Sequence, residues 1–244
     1  MKVVFLGATK GMGRALARAM AVKGAEIVLL GRDQEDLQRS AADLEAHGAR
    51  RAAVAPCDLL DPESFAPAFA AAQEALGHFD TVVVTAGLFG TQEELEADRE
   101  RTRQLLTANL TNTILFCEEA RQHLLAAGGG TLCVFSSVAG DRARKPVILY
   151  GASKAGLSYY LNGLDHRYRT QGLKTVLVKP GFVKTGMTAG LQPPPFAGEP
   201  DDVAQTVLRA IEKGKPVVYA PPVWGLVMGV IRLLPRFVMR RIGF

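Results

Sequence analysis

The sequence predicts an α/β fold: one doubly wound parallel sheet with helices on both faces. Three observations carry that expectation. Short apolar runs alternate with longer amphipathic segments along most of the chain, the alternation that builds a parallel sheet. A glycine cluster, Gly7, Gly11 and Gly13, joins the first apolar run to the first amphipathic segment. The 244 residues, 48% of them apolar, suffice for one substantial core without requiring a second domain.

The elements follow in order. Residues 2–7 are apolar enough for a strand buried on both faces. Residues 11–23 have helical spacing, and Gly24 closes that helix. Glu26 to Leu30 is a second strand, and Asp33 to His47 a polar-faced helix ending at Gly48. Arg51 to Pro56 is a third strand, and a helix begins at Asp61 with Pro62 in its favoured first turn. Phe79 to Val84 is a fourth strand. Leu95 to Ala127 reads as one long helical region, broken by Gly128-Gly129-Gly130. Thr131 to Ser136 is a buried strand, Pro146 to Thr170 a long helix, and Leu173 to Lys179 a strand stopped by Pro180-Gly181. Phe182 to Pro200 is irregular; its prolines and glycines suit a mobile loop or lid. Asp201 to Lys213 is a helix and Val217 to Tyr219 a last short strand. These elements form one domain over residues 1–220. Residues 221–244 are an apolar tail, not a second domain, whose only charges are Arg232, Arg236, Arg240 and Arg241; Pro235 separates two short helices within it.

Composition narrows function by exclusion. The net charge of +5 suits an anionic ligand or surface. The basic residues are dispersed and no nucleic-acid motif occurs, so nucleic acid is not an expected partner. Cys57, Cys117 and Cys133 are odd in number and lack metal-ligand spacing. They read as buried thiols in a reducing compartment, with no metal expected. The apolar run at 2–7 is too short for a signal-peptide core, and no stretch of about 20 apolar residues spans a bilayer. The expected location is cytoplasmic, with peripheral attachment to a membrane left open by the tail.

The chemistry concentrates at Tyr150-Gly151-Ala152-Ser153-Lys154. Positions four apart share a helix face, so an ammonium lies near a phenol and is expected to lower its pKa from about 10. A serine from the preceding strand end, Ser136 or Ser137, would orient a substrate oxygen. The turn Gly7-Ala8-Thr9-Lys10-Gly11-Met12-Gly13 lies between strand and helix. Its glycines let a pyrophosphate approach the backbone, and the helix N-terminus supplies N–H donors, as in Rossmann-type folds. The spacing is G-x-x-x-G-x-G rather than the commoner G-x-G-x-x-G, and tight packing alone is the bland alternative. After the second strand stands Leu30-Gly31-Arg32, where a cofactor with a free ribose 2′-hydroxyl wants a carboxylate. Arg32 and Lys10 can instead pair with a 2′-phosphate, so NADP(H) is the expected cofactor. Asp33, if turned inward, would favour the unphosphorylated form.

These residues at these spacings resemble the short-chain dehydrogenases/reductases over about residues 1–220. The resemblance rests on Gly7, Gly11, Gly13, Asp58, Ala86-Gly87, Asn109, Ser137, Tyr150, Lys154, and Pro180-Gly181 with Thr185. It implies an oxidoreductase acting on an alcohol or carbonyl, and subunits that associate through the helix bearing Tyr150. It selects Ser137 over Ser136 as catalytic. It makes Tyr150 the proton donor, Lys154 the holder of the nicotinamide ribose, and Asn109 the holder of a water in a relay through Lys154. The cofactor contacts it implies are Gly7, Thr9, Lys10, Gly11, Met12 and Gly13 at the turn, Arg32, and Asp58 with Leu59 at the adenine. Ala86, Gly87, Tyr150 and Lys154 follow, with Pro180, Gly181, Val183 and Thr185 at the carboxamide or phosphates. Plain structural roles stay open: Asp58 capping a turn, Asn109 satisfying buried backbone, Thr185 beginning a loop. Leu6 replaces the family's threonine, and Val84-Thr85-Ala86-Gly87 its Asn-Asn-Ala-Gly; both bear on the hydrogen bonding that steadies the central strands.

Three stretches resemble a subgroup, the bacterial decaprenylphosphoryl-2-keto-ribose reductases: Ala86 to Gly90 with Glu93-Glu94-Leu95, Gly140 to Arg144 leading to Tyr150–Leu157, and the tail from Ala220 to Phe244. That subgroup reduces a keto-sugar carried on a polyprenyl phosphate. The implied activity is NADPH-dependent reduction of a lipid-linked or lipophilic ketone. An apolar face interleaved with arginines suits a helix lying on an anionic membrane; the tail could equally wall an apolar pocket or meet another subunit. Arg142, Arg144 and Lys145 flank Ser137 and either meet a substrate phosphate or form a solvated loop. A reductase of 3-oxoacyl or sphingoid-type ketones would keep the same Ser137, Tyr150 and Lys154. A non-catalytic NADPH-binding regulator is the alternative of another class, opposed by the intact trio.

Overall fold

The computed structural model describes residues 1–242. β1 (Lys2–Leu6) leads into α1 (Gly11–Val22), β2 (Glu26–Gly31) into α2 (Gln34–Ala46), and β3 (Arg51–Pro56) into α3 (Phe65–Leu76). After β4 (Thr81–Val84) come α4 (Gln92–Ala97), α5 (Arg99–Leu106) and α6 (Thr113–Ala126). β5 (Gly130–Phe135) precedes α7 (Ile148–Tyr168), and β6 (Leu173–Pro180) precedes α8 (Pro200–Lys213). β7 (Val217–Ala220) is followed by α9 (Val223–Leu233) and α10 (Arg236–Arg241).

All seven strands pair in parallel, in the order β3-β2-β1-β4-β5-β6-β7. The chain winds outward from β1 to β3, then returns to the other side of β1. That reversal between β1 and β4 opens a crevice at the carboxyl ends of the strands, where ligands bind in such sheets. The strand residues alternate between two cores. Val3 and Phe5 pack toward α1, α2 and α8; Val4 and Leu6 pack toward α3, α6 and α7. In the second core Phe116 stacks at 4.8 Å on Phe69 and meets the edge of Phe65 at 5.3 Å. Each such buried ring stabilises the fold by roughly 1.5–3 kcal/mol. Two faces of this kind explain why the strands read as continuous apolar runs.

The expected fold class is the observed one, with local corrections. Leu95–Ala127 is not a single helix. Asp98 is extended (φ −130°) and its carboxylate accepts from the N–H groups of Glu100 and Arg101, which ends α4 and starts α5. Residues 107–112 then widen into a π turn before α6. Asp61 caps a short 3₁₀ turn, Pro62–Ser64, so α3 itself begins later, at Phe65. The helix carrying Tyr150 is trimmed at both ends by 3₁₀ turns, Lys145–Val147 and Arg169–Gln171. The irregular 182–200 stretch is tied at its base: Gly198 N–H donates to Phe182 O (2.9 Å) and Lys184 N–H to Gly198 O (3.0 Å).

The tail forms two short helices that part at Pro235, and its last two residues, Gly243 and Phe244, lie outside the described residues. α9 packs back onto the body. Trp224 and Met228 bury against Val138, with Phe182 and Tyr219 beside them. The Trp224 indole occupies the space beside Gly181, where a Cβ would meet its Nε1 at 2.2 Å, and donates to Phe196 O at 3.1 Å. The outer face of α9 and α10 exposes Leu226, Val230, Leu233 and Phe237. Among the described residues no helix is long and apolar enough to cross a membrane, and no cluster of three or more acidic, His or Cys residues could hold a metal. All three cysteines are buried, which pushes the thiols up, Cys57 to about 11.

Candidate active site

A cavity of about 430 Å³ opens at the carboxyl ends of β1, β2 and β4. Its walls include Gly7, Thr9, Lys10, Arg32, Asp58, Leu59, Ala86 and Gly87, eight of the expected cofactor residues. The glycine turn at its floor leaves no room for side chains. Gly7 has φ +97°, and a Cβ there would lie 2.5 Å from Ala86 N; a Cβ on Gly13 would lie 2.1 Å from Gly7 O. Met12 turns away to pack against the α1 side of the core. The N-terminus of α1 has no side-chain cap and no acidic residue in its first turn. Its N–H groups and its dipole therefore remain available to an anion. Thr85 answers the departure in the central strands: its hydroxyl donates to Gly7 O at 2.8 Å, linking the ends of β4 and β1.

At the far rim, Arg32 lines the cavity, while Lys10 pairs with Asp36 at 3.1 Å. Asp33 caps α2, its Oδ1 accepting the Asp36 N–H at 3.0 Å. Asp58 lines the cavity and also caps its own turn, accepting the Leu60 N–H at 2.9 Å. Leu59 is buried beside it, its carbonyl accepting from Asn112 Nδ2.

The other end of the crevice collects the reactive side chains. Ser136 is buried and structural: its hydroxyl donates to Lys154 O (2.9 Å) and lies 2.8 Å from the Ser158 hydroxyl, tying β5 to α7. Ser137 instead faces the phenol of Tyr150, its oxygen also accepting the Ala139 N–H at 3.1 Å. Lys154 is buried; its ammonium donates to Phe135 O (3.1 Å) and lies 5.7 Å from the centre of the Tyr150 ring. Burial pushes Lys154 down to about 8. Burial also pushes the half-buried Tyr150 up to about 12, with the Ser137 hydroxyl and then the Arg144 guanidinium acting in the lowering direction. The net direction is opposite to the expected one, because desolvation outweighs the Ser137 hydroxyl and the Arg144 guanidinium. Asn109, in the π turn, binds Leu88 with both ends of its amide, accepting its N–H and donating to its carbonyl, both at 2.7 Å. That clamp holds Gly87 close: a Cβ there would meet Asn109 Oδ1 at 3.0 Å and Lys154 Nζ at 3.6 Å.

Pro180 ends β6, and Gly181 donates its N–H to Ala220 O at 3.1 Å. Val183 is buried and bridges to Gly198; Thr185 caps a short turn and sets its methyl against the Gly11 position. Met187, from the same segment, reaches the cavity wall. Sequence reasoning missed Phe89 as a site residue, although its ring meets Tyr150 edge-on at 5.1 Å. Its position just beyond the end of β4 was the available signal, since such strand ends line the ligand crevice.

The family model described as short chain dehydrogenase matches residues 1–195. An uncharacterised oxidoreductase of Mycobacterium tuberculosis is 35% identical over 98% of this chain and 96% of its own. Carbonyl reductase family member 4 of Xenopus tropicalis is 29% identical over 84% of this chain and 89% of its own. A short-chain type dehydrogenase/reductase from Mycobacterium ulcerans shares the fold, with a TM-score of 0.81 at 21% identity over 89% of this chain and 87% of that one.

Proposed function

This chain belongs to the short-chain dehydrogenase family, oxidoreductases of alcohols and carbonyls that use a nicotinamide cofactor, and we propose that it reduces a lipophilic or lipid-linked ketone with NADPH. The observation that carries the reading is the meeting of Ser137, Tyr150 and Lys154 at one end of a crevice whose other end is an uncapped helix N-terminus. Bound there, the cofactor supplies hydride to the carbonyl carbon. A phenol held near 12 is fully protonated at neutral pH, the state needed by an acid that donates to the carbonyl oxygen as charge grows on it. The Ser137 hydroxyl hydrogen-bonds the same oxygen, oriented by the N–H it accepts from Ala139. The buried Lys154 ammonium stands ready for the ribose hydroxyls and steadies the phenolate left behind. Bound to Leu88 through one donor and one acceptor, Asn109 positions Gly87 beside Lys154 and holds the water of the proton relay in this scheme.

The preference for NADPH is supported by Arg32 on the cavity rim; Asp33 shares that wall, but its Oδ1 is engaged by the Asp36 N–H in capping α2. A lipophilic substrate is supported by the tail. Its inner face, Trp224 and Met228, packs beside Val138, next to Ser137, while its outer face exposes four large apolar side chains among arginines. The tail thus serves as wall within and as membrane contact without.

NADPH and NADH consumption measured across lipid-linked keto-sugars, 3-oxoacyl compounds and small soluble ketones tests the reading. The expected order places NADPH with the lipid-linked keto-sugar first. A 3-oxoacyl compound in that place supports the rival reductase, and no oxidation with any ketone supports a non-catalytic nucleotide binder. Flotation with anionic liposomes tests the outer face, using Leu233→Glu/Phe237→Glu in the full chain; equal flotation of wild type and variant removes the membrane contact.

A further inference from the structure

The segment joining β5 to α7 is pinned on both sides of one unpartnered side chain. Asp141 accepts from Lys179 Nζ (2.5 Å) and from the Tyr219 hydroxyl (2.7 Å). Arg142 donates to Leu234 O at 2.6 Å, tying the segment to the tail. Beyond Lys145, which is exposed, the Leu149 N–H donates to Gln92 Oε1 at 3.1 Å. Between these ties sits Arg144, half-buried, with an Nε that is shut from solvent and has no hydrogen-bond partner among the described residues. Tyr150 is the ionisable neighbour acting on it; no carboxylate among the described residues does so. A guanidinium held partly out of water without an acceptor is unfavourable, and its planar fork of donors matches carboxylate and phosphate. The cofactor's own phosphates are placed elsewhere, at the uncapped α1 N-terminus, and Arg144 is not part of that cavity's wall.

We infer that Arg144 recognises the substrate, binding a phosphate or carboxylate that the ketone carries. The guanidinium lies on the segment between Ser137 and the helix that carries Tyr150, next to where the ketone is placed. Arg142 and Lys145 are not equivalent, since one is committed to Leu234 and the other lies in solvent. This inference rests on the ketone-reductase reading and deepens it. A phosphorylated soluble keto-sugar and a keto-sugar on a lipid phosphate present the same chemistry to the fork.

Steady-state constants for a phosphorylated keto-sugar, its unphosphorylated counterpart and a lipid-phosphate keto-sugar, on wild type, Arg144→Gln and Arg144→Lys, test it. Wild type is expected to favour both phosphorylated ketones by about ten- to hundred-fold in kcat/KM, the scale of charge-assisted hydrogen bonds. In Arg144→Gln that ratio falls toward one, chiefly through KM of the charged ketones, and Arg144→Lys restores part of it. An unchanged ratio in Arg144→Gln, or a wild-type preference confined to the lipid-linked compound, overturns the inference. Titration of inorganic phosphate into the NADPH-loaded protein reads the same site without turnover. Weaker binding to Arg144→Gln is expected there, and equal binding overturns the inference even if no ketone in the panel is reduced. Failure of the ketone-reductase reading shows separately, as absence of turnover with all three ketones by wild type.

Discussion

The two ends of the crevice are held together by different means. At the cofactor end the chain approaches itself backbone to backbone, with Gly7 against Ala86 and Gly13 against Gly7, and the short Thr85 hydroxyl fills the space beside them. At the substrate end the contacts are made by side chains far apart in sequence: Arg142 with Leu234, Asp141 with Lys179 and Tyr219, Trp224 with Gly181 and Phe196. The first arrangement tolerates almost no substitution and fits one ligand shape. The second can be rebuilt with other side chains, which is how one scaffold accepts different substrates.

The largest expected effect separates chemistry from both ends. Tyr150→Phe removes the proton donor and leaves the ring, its Phe89 contact and the glycine turn in place. Turnover is expected to fall by about 10²–10⁴-fold while NADPH affinity, read by fluorescence titration, stays within about twofold. Near-normal turnover at saturating ketone would remove Tyr150 from its role. Next comes the cofactor end itself. Gly13→Ala places a methyl 2.1 Å from a backbone oxygen that cannot retreat without breaking its bond to Thr85. A loss of about 3 kcal/mol or more of stability, with NADPH affinity lost in parallel, is expected by calorimetry and titration.

The substrate end should respond differently. Trp224→Ala empties the space beside Gly181 and frees Phe196, at a cost of about 3 kcal/mol. The expected kinetic signature is a raised KM for ketone, with NADPH affinity falling far less than in Gly13→Ala. If NADPH affinity falls as much as it does in Gly13→Ala, the two ends are not independent and the contrast between them fails.

The same contrast explains what could be read from the sequence. The glycine turn, the strand alternation and the Tyr150–Lys154 pair are legible because each is a local pattern: a turn chemistry, a period, one helical repeat; the choice of Ser137 over Ser136 comes from the family resemblance. The break at Asp98 was not, since an aspartate inside a helical run becomes a cap only when the following turn needs its acceptor. The commitment of Asn109 to Leu88 joins residues 21 positions apart, and Trp224 reaches Gly181 across α8 and β7. No spacing rule announces such pairs. The sign of the Tyr150 shift was missed for a related reason: sequence shows a lysine one turn away but not the burial that dominates the phenol.

Lys154 offers a test that depends on burial alone. Its folded pKa of about 8 lies below the ordinary 10.5, so the folded state holds fewer protons between those values. Stability contributed by this site therefore rises with pH from about 8 to 10.5; below 8 both states are protonated and the full burden of the buried ammonium is present. Lys154→Met removes that burden and is expected to be up to about 3 kcal/mol more stable than wild type at pH 7, though inactive. The advantage should shrink toward pH 10 in denaturant titrations. The raised Tyr150 does not interfere, since its effect appears only above about 10. An advantage independent of pH would mean that the ammonium is not desolvated.

The smallest effect falls on the exposed rim of the cofactor end, where that end relies on charged side chains. Lys10 is mostly in solvent and is held by Asp36, which also binds Arg39. A 2′-phosphate must compete with that carboxylate for Lys10 while gaining Arg32. Asp36→Asn relieves the competition without touching the glycine turn. The ratio of NADPH to NADH affinity is expected to rise by about two- to fivefold at low salt, and the gain should fade as salt screens the exposed charges. A ratio that falls instead would show that Asp36 orients Lys10 toward the phosphate rather than competing with it, making this rim behave like the side-chain-built substrate end.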